Sequence, residues 1–241
     1  MDGTRDTVEG GGVAVRFEDV AVAYPGGPAV VDKVSFVLAD GAFRVLIGPS
    51  GAGKTTVLRL MYLALRPTAG RITLFGDDLA AVPRARRPAL RRQIGVVFQD
   101  FRLLDHLSVL DNVALPLRIA GRDEEDVLET VTAVLNWIGL DKQRDALPRA
   151  LSGGQQQLVA IARAVVGRPR LLLGDEPTGN VDDRIAARLT HLFEELNRGG
   201  TTVVLATHNH ALADRIGRPR LWMERGTLRS TPPSTAVEGI A

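Results

Sequence analysis

The segment GPSGAGKT, residues 48–55, restricts the fold more than any other stretch of the chain. It follows a short apolar run at residues 43–47 and leads into an apolar pattern with helical spacing. A glycine-rich turn between a buried strand and a helix exposes backbone N–H groups at the helix N-terminus, where the helix dipole favours an anion. We therefore expect an α/β fold in which helices pack on a mostly parallel sheet.

The same segment fits the pattern G-x-x-x-x-G-K-[ST], which predicts a cradle for the phosphates of a nucleotide. Its glycines let the backbone turn several N–H groups toward phosphate oxygens. Lys54 is suited to the β and γ phosphates, and the Thr55 hydroxyl to Mg²⁺. The predicted nucleotide-binding residues are Gly48, Pro49, Ser50, Gly51, Ala52, Gly53, Lys54, Thr55 and Thr56.

Two adjacent carboxylates follow an apolar run at residues 171–174. Neighbouring residues of a strand point to opposite sides, so the two acids can have separate roles. We expect Asp175 to hold Mg²⁺ and Glu176 to act as the general base toward an attacking water. The alternative is a pair of acids that only solvates a turn.

Composition excludes several other classes of protein. The 241 residues are 45% hydrophobic, which is enough for one sizeable core. There is no cysteine, so neither a disulfide framework nor a zinc-finger site is possible. The formal net charge of +2 argues against nucleic acid as the main ligand. The chain begins without a secretory-signal pattern and has no apolar run of about 18 residues, so we expect any membrane connection to come through a partner.

The patterning changes along the chain. Alternating apolar residues at 13–38, interrupted by the turn Pro-Gly-Gly at 25–27, predict antiparallel strands. Helical spacing dominates residues 84–164, including RARRPALRRQ and QQQLVAIARAVV. Between residues 171 and 206 a strand, a helix over 185–197 and another strand alternate, which is typical of a parallel sheet wound with helices.

The pentapeptide LSGGQ, residues 151–155, resembles the signature of the ATP-binding-cassette (ABC) family of ATPases. By itself it is a second anion cradle, or an ordinary helix cap. The resemblance implies that two chains pair head-to-tail, as a homodimer that binds ATP and Mg²⁺ at shared sites. Four signature residues of one chain would then close over the γ-phosphate held by Lys54 of the other: Ser152, Gly153, Gly154 and Gln155.

The resemblance implies roles for four further residues. Tyr24 would stack on adenine, Gln99 would reach Mg²⁺ and the attacking water, Asp182 would report across the dimer, and His208 would contact the γ-phosphate and support Glu176. The structural alternatives are a strand-face tyrosine, an ordinary glutamine, a helix N-cap and a structural histidine. The remaining histidines, His106, His191 and His210, are interpreted as surface residues.

The resemblance covers residues 13–228 and implies a P-loop ATPase core with an N-terminal antiparallel β subdomain and an inserted α-helical subdomain at about 84–164. Residues 1–12 are expected to be a disordered leader and 229–241 a mobile tail. Two residues depart from the family pattern. Leu158 stands where relatives commonly carry arginine, and Gly174 where many carry alanine.

Within this family, FQDFRLL at 98–104 and SVLDNV at 108–113 resemble the cell-division branch called FtsE, whose members pair with the membrane protein FtsX. This implies an ATPase at the cytoplasmic face of the bacterial cell membrane, at the division septum, that signals to cell-wall hydrolysis. The main alternative is the ATPase of a lipoprotein-release or macrolide-export transporter. A soluble cassette acting on DNA or ribosomes and a pseudo-enzyme are less consistent with one cassette and an intact Glu176 and His208.

Two surfaces are candidates for contact with the membrane assembly. We expect Asp100, Phe101 and Leu104 to belong to the partner-docking surface, although the leucines here can equally pack inside the helical subdomain. The arginine run is either a solvated helical face or a contact with anionic lipid headgroups. It comprises Arg84, Arg86, Arg87, Arg91 and Arg92.

Overall fold

A computed structural model of the chain describes residues 12–24, 26–179 and 181–229. The expected leader and tail lie outside these residues apart from Gly12 and Arg229. The strands in the described part are β1 Val13–Ala23, β2 Ala29–Ala39, β3 Phe43–Ile47, β4 Ala69–Leu74, β5 Asp77–Asp78, β6 Ile94–Val97, β7 Leu171–Asp175, β8 Thr202–Thr207, β9 Arg220–Glu224 and β10 Thr227–Arg229. The helices are α1 Lys54–Met61, α2 Arg87–Arg91, α3 Val109–Ile119, α4 Glu124–Trp137, α5 Gly153–Val165, α6 Asp183–Arg198 and α7 His210–Ile216.

An antiparallel sheet of order β2-β1-β4-β5 contains the N-terminal strands. The alternating pattern of β1 and β2 places one face of each strand in the core, where Phe17 and Phe36 stack with ring centroids 4.6 Å apart. The prediction that these two strands pair antiparallel is confirmed. Strands β4 and β5 were not predicted from the sequence, because a strand that completes a sheet from the far side of a helix carries no local pairing signal.

A second sheet of order β10-β9-β3-β8-β7-β6 forms the centre of the molecule. Strands β9, β3, β8, β7 and β6 are parallel, and β10 pairs antiparallel with β9. Apolar side chains cover both faces: Val45 and Ile47 pack into the cluster on the side of α3 and α5, whereas Leu46 packs into the cluster with α1 and the antiparallel sheet. Burial on two faces explains the continuous apolar runs in these strands. The expected parallel sheet is thus confirmed.

The region at 84–164 contains more than helices. RARRPALRRQ forms only a short 3-10 turn, Arg84–Arg86, and the five-residue helix α2. Like charges one turn apart, such as Arg87 and Arg91, weaken a helix. Strand β6 follows and pairs with β7 in the central sheet. The part of this region that contains only helices therefore begins after β6. The boundary of the helical subdomain at about 84–164 stays a prediction.

The two departures from the family pattern lie in the core. Leu158 is 1% exposed and packs in the cluster beneath α5. A Cβ at Gly174 would lie 2.8 Å from Leu205 Cδ2, so alanine there would require Leu205 to move. None of the helices in the described ranges is long and apolar enough to cross a membrane.

Candidate active site

The carboxyl ends of β3, β7 and β8 meet at one edge of the central sheet. Ile47 pairs with Thr207, and Asp175 pairs with Ala206. The residues that follow these strands, namely the glycine-rich loop, Glu176 and His208, are therefore neighbours although they are far apart in sequence. This edge is the usual ligand site of an open parallel sheet.

The glycine-rich loop has the backbone that an anion cradle requires. Gly51 and Gly53 have φ angles of 78° and 102°, which other residues rarely adopt. A Cβ at Gly48 would lie 2.1 Å from the carbonyl oxygen of Met223, so this position has no space for a side chain. Helix α1 begins without a side-chain cap and without an acid in its first turn. Its N-terminus is consequently suited to a phosphate.

Lys54 is buried beneath this loop. Its Nζ donates to the carbonyl oxygens of Gly48 at 2.7 Å and Pro49 at 3.1 Å, and lies 3.8 Å from Glu176 Oε1. Burial lowers the pKa of Lys54, while Glu176 and Asp175 act in the opposite direction. The ammonium is thus held at the loop by carbonyl groups and can be redirected to a phosphate.

Both oxygens of Glu176 are held by hydrogen bonds. Oε1 accepts from the backbone N–H of His208 at 2.8 Å and lies 2.7 Å from His208 Nδ1. Oε2 accepts from the Thr207 hydroxyl at 2.9 Å. A carboxylate only accepts, so Nδ1 carries the proton in this contact and Nε2 is left for a ligand. Glu176 itself has φ 48°, a strained conformation that is typical of functional sites.

Asp175, at the end of β7, faces Thr55. The Thr55 hydroxyl is 3.2 Å from Asp175 Oδ1. A pocket of about 370 Å³ adjoins them, lined by Thr55, Arg59, Phe98, Gln99, Asp100, Arg102 and Asp175. In the described residues no three His, Cys, Asp or Glu side chains form a metal cluster. The donors fit Mg²⁺, which is usually held by one or two carboxylates together with substrate phosphates.

Burial raises the pKa of Asp175, and the Glu176 charge raises it further against the hydrogen bond from Thr55. The ionised carboxylate therefore destabilises the nucleotide-free fold once the pH exceeds its folded-state pKa, and this cost is absent below the unfolded value of about 3.9. We expect Asp175→Asn to raise the melting temperature at pH 7.5, with a difference that shrinks toward pH 4. Thermal melts without nucleotide test this, with the exposed Asp105→Asn as the control. An equal gap at both pH values would contradict it.

The signature residues cap helix α5 and lie apart from the glycine-rich loop, and their role as a second anion cradle stays a prediction. Ser152 Oγ accepts from the Gln155 N–H at 3.3 Å and Gln155 Oε1 accepts from the Ser152 N–H at 2.9 Å, a capping box at the start of α5. Ser152 is exposed, and the first turn of α5 has no acid. A Cβ at Gly154 would lie 2.9 Å from Ile185 Cγ1, so this glycine also lets α5 approach α6. In the part of the chain described here, no hydrogen bond or ion pair joins Ser152 or Gln155 to residues 48–55.

Tyr24 and Asp182 lie at the surface, away from these contacts. The Tyr24 side chain is 46% exposed beyond the end of β1. Asp182 Oδ1 accepts from the Ile185 N–H at 2.8 Å and caps α6. Both positions agree with contacts to a ligand or a second chain, and both roles stay predictions.

Two residues that hold this site, Thr207 and Arg163, were not predicted from the sequence. Thr207 orients Glu176 through its hydroxyl. Its position at the end of an apolar run, directly before His208, could have identified it. Arg163 of α5 donates to the carbonyl oxygens of Arg102 at 2.6 Å and Phe101 at 2.9 Å. These two residues follow Gln99 closely and have φ angles of 50° and 55°. Arg163 thereby joins the turn after Gln99 to the signature helix.

Comparison with known proteins gives consistent matches. The family model described as ABC transporter matches residues 31–179. The cell division ATP-binding protein FtsE of Escherichia coli strain K12 is 46% identical over 214 residues, which are 89% of this chain and 96% of that protein. FtsE of Bacillus subtilis is 38% identical, covering 89% and 94%.

Solved structures agree with this result. A dimeric ATP-binding cassette in a post-hydrolysis state, bound to ADP and Pi, superposes with a TM-score of 0.82 at 31% identity and covers 89% of this chain and 96% of that chain. The cassette cbiO1 from Clostridium perfringens, part of the cbiONQ transporter complex, gives a TM-score of 0.82 at 26% identity, covering 90% and 87%.

Proposed function

The chain belongs to the ABC transporter family of ATPases, in the branch of the cell-division protein FtsE, and from this premise we propose that it powers an FtsE–FtsX-like membrane complex in bacterial division. The observation that carries the proposal is the convergence of Lys54, Glu176 and His208 at one edge of the central sheet. The sequence-based assignment to this family and branch is confirmed by relatives 36–46% identical over most of the chain. The transporter alternative is not favoured.

The proposed active form is a homodimer with two shared sites. One copy supplies the loop at 48–55, and the other supplies Ser152, Gly153, Gly154 and Gln155. The separation of the two cradles within one chain, and the dimeric arrangement of a structural relative, support this pairing. Tyr24 would stack on the adenine, and Asp182 would lie at the contact between copies.

Hydrolysis requires a base and charge stabilisation at the γ-phosphate. Glu176 takes a proton from the attacking water, since its carboxylate is already oriented by Thr207 and His208. Lys54 Nζ donates to the phosphoryl oxygens, where negative charge is greatest, and His208 donates to them from Nε2 when its ring is doubly protonated. Bound at Thr55, Asp175 and Gln99, Mg²⁺ would neutralise the charge of the phosphates.

A groove beside the helical part is the proposed docking site for the transmembrane partner. It has a volume of about 650 Å³ and exposes Leu104 and Ile119, which are 36% and 68% exposed. Its lining includes Arg91, Arg92, Arg102, Arg122 and Arg163 and no acid. An apolar partner segment that also carries acidic residues would complement it. Of the docking residues expected from the sequence, Leu104 lines the groove, whereas Asp100 and Phe101 do not.

The turn at Phe101 and Arg102 connects this groove to the nucleotide. Gln99 and Arg102 both line the pocket at Asp175, and Arg102 also lines the groove. Arg163 holds the same turn to α5. A shift of Gln99 on ATP binding would therefore reach both the partner and the signature helix.

Removing the exposed apolar contacts of the groove tests the docking proposal. We expect Leu104→Ser combined with Ile119→Ser to weaken binding to the membrane partner about thirtyfold, because burying the exposed parts of these two side chains contributes about 2 kcal/mol in total. Co-purification with the partner in detergent, alongside ATP binding, is the measurement. Leu128→Ser on α4, an exposed leucine outside the groove, is the matched control. Undiminished co-purification of the double variant would contradict the proposal.

The complex is proposed to lie at the cytoplasmic face of the cell membrane, at the division septum. Docking in the groove would bring α2 and its flanking arginines close to the bilayer, because Pro88, Arg91 and Arg92 line the groove. Contact of this arginine run with anionic headgroups then has an electrostatic basis.

A further inference from the structure

A second cavity lies on the other side of α2. It has a volume of about 280 Å³ and is bordered by Leu63, residues 65–72, Leu79, Ala80 and Arg87. Arg66, Arg71 and Arg87 contribute to its lining, while no acid does. Leu63, Leu65, Ile72 and Leu79 supply apolar walls. Basic groups beside an apolar wall suit an amphiphile with an anionic head.

The Arg87 side chain is in an energetically unfavourable environment at the wall of this cavity. Its Nε is buried and has no hydrogen-bond partner in the described residues. Burial lowers the pKa of Arg87, and the charges of Arg66, Arg84 and Arg91 lower it further. An unsatisfied donor among like charges is unfavourable in the absence of a ligand.

The neighbouring arginines differ in their partners. Arg71 lies 3.4 Å from Asp78 and Arg86 lies 3.5 Å from Asp77, so these two are ion-paired. Arg66, Arg84 and Arg87 form no ion pair within residues 12–24, 26–179 and 181–229. Two of these three unpaired arginines, Arg66 and Arg87, line the cavity.

We propose that this cavity binds the phosphate of an anionic phospholipid headgroup, with Arg66 and Arg87 as its principal contacts. At about 30 Å³ for each water molecule, the cavity has the volume of roughly nine waters, which is enough for a phosphate and part of its glycerol. Guanidinium groups bind phosphate oxygens through paired N–H donors. This inference rests on the proposed docking of the chain beneath a membrane partner. Helix α2 lies between the docking groove and this cavity, so docking in the groove would also bring the cavity close to the bilayer.

The test compares two variants with the same change of charge. Arg66→Gln combined with Arg87→Gln removes the proposed contacts, and Arg198→Gln combined with Arg225→Gln removes two exposed arginines elsewhere. The full chain is sedimented with vesicles of phosphatidylcholine, with and without phosphatidylglycerol. We expect the wild type and the control pair to bind the anionic vesicles, and the Arg66/Arg87 pair to bind roughly thirtyfold more weakly.

Other outcomes would overturn the proposal. Equal losses in both variants would mean general surface attraction, and equal binding of neutral and anionic vesicles would mean that the site does not select an anionic headgroup. Failure of the wild type to bind anionic vesicles would also refute the site. Arg87→Lys keeps the positive charge but lacks the paired N–H donors of a guanidinium. This variant should therefore bind anionic vesicles more weakly than the wild type but more strongly than the Arg66/Arg87 variant.

The melting temperature of the Arg66/Arg87 variant should not fall and its ATPase activity should be unchanged, which excludes misfolding. The same variant should still co-purify with the partner in detergent. The Leu104/Ile119 variant should behave in the opposite way and keep its binding to anionic vesicles. Failure of the lipid site and failure of the docking groove are therefore distinguishable.

Discussion

Glu176→Gln is expected to bind ATP normally and to hydrolyse it about 10²–10⁴-fold more slowly, because an amide cannot accept the proton of the attacking water. The substitution is nearly isosteric. Its carbonyl oxygen can still accept from the His208 N–H or the Thr207 hydroxyl, which hold the carboxylate in the wild type. The loss should therefore be confined to chemistry, and the variant should accumulate as an ATP-bound dimer.

Phosphate release measures the rate, and size-exclusion chromatography with ATP measures the dimer. Glu129→Gln, at an exposed position of α4, makes the same chemical change away from the site. Near-normal turnover by Glu176→Gln would remove Glu176 from the role of base. Loss of ATP binding would mean that the carboxylate organises the loop rather than the water.

The second large effect is expected when two inactive variants are mixed. Lys54→Ala should abolish ATP binding, because the cradle loses its buried ammonium group. Ser152→Arg should leave binding by each monomer intact but block closure at the exposed start of α5. A mixed dimer keeps one undamaged site, so a 1:1 mixture should recover about one quarter of wild-type ATPase activity if pairing is random and symmetric.

Each variant alone, at the same total concentration, is the baseline for this experiment. Ser152 also caps α5, so its loss should lower stability by about 1 kcal/mol, which a thermal melt detects. Full activity of Ser152→Arg by itself would disprove shared sites. A mixture as inactive as its components, despite normal ATP binding by Ser152→Arg, would also count against them.

The placement of much of the candidate site could be predicted, because its residues follow local sequence patterns. Lys54 lies among glycines after a strand, Asp175 and Glu176 end an apolar run, and His208 ends another. Each of these patterns indicates the carboxyl end of a strand, and a parallel sheet places the carboxyl ends of its strands at one edge. The resemblance to ABC ATPases then supplied roles for residues that carry no such signal, such as Gln99.

The remaining features depend on contacts between distant segments. Thr207 acts on Glu176 only because β7 and β8 are adjacent, and Arg163 meets Phe101 only because α5 packs beside the turn after β6. The arginine run was interpreted as a solvated helical face or a contact with anionic headgroups. It forms a short 3-10 turn and a five-residue helix between two cavities, and no periodicity within the run could indicate those cavities.

The order of strands in the central sheet has a consequence for folding. Strand β3, which carries the phosphate loop, lies between β8 and β9, so Phe43 pairs with Val203 and Ile47 with Trp222. During synthesis the ribosome releases β3 long before either neighbour exists. Contacts of such long sequence separation form slowly. The nascent chain therefore completes its nucleotide cradle only after nearly the whole cassette has been made, and ATP can stabilise the finished domain but cannot guide the early steps of its folding.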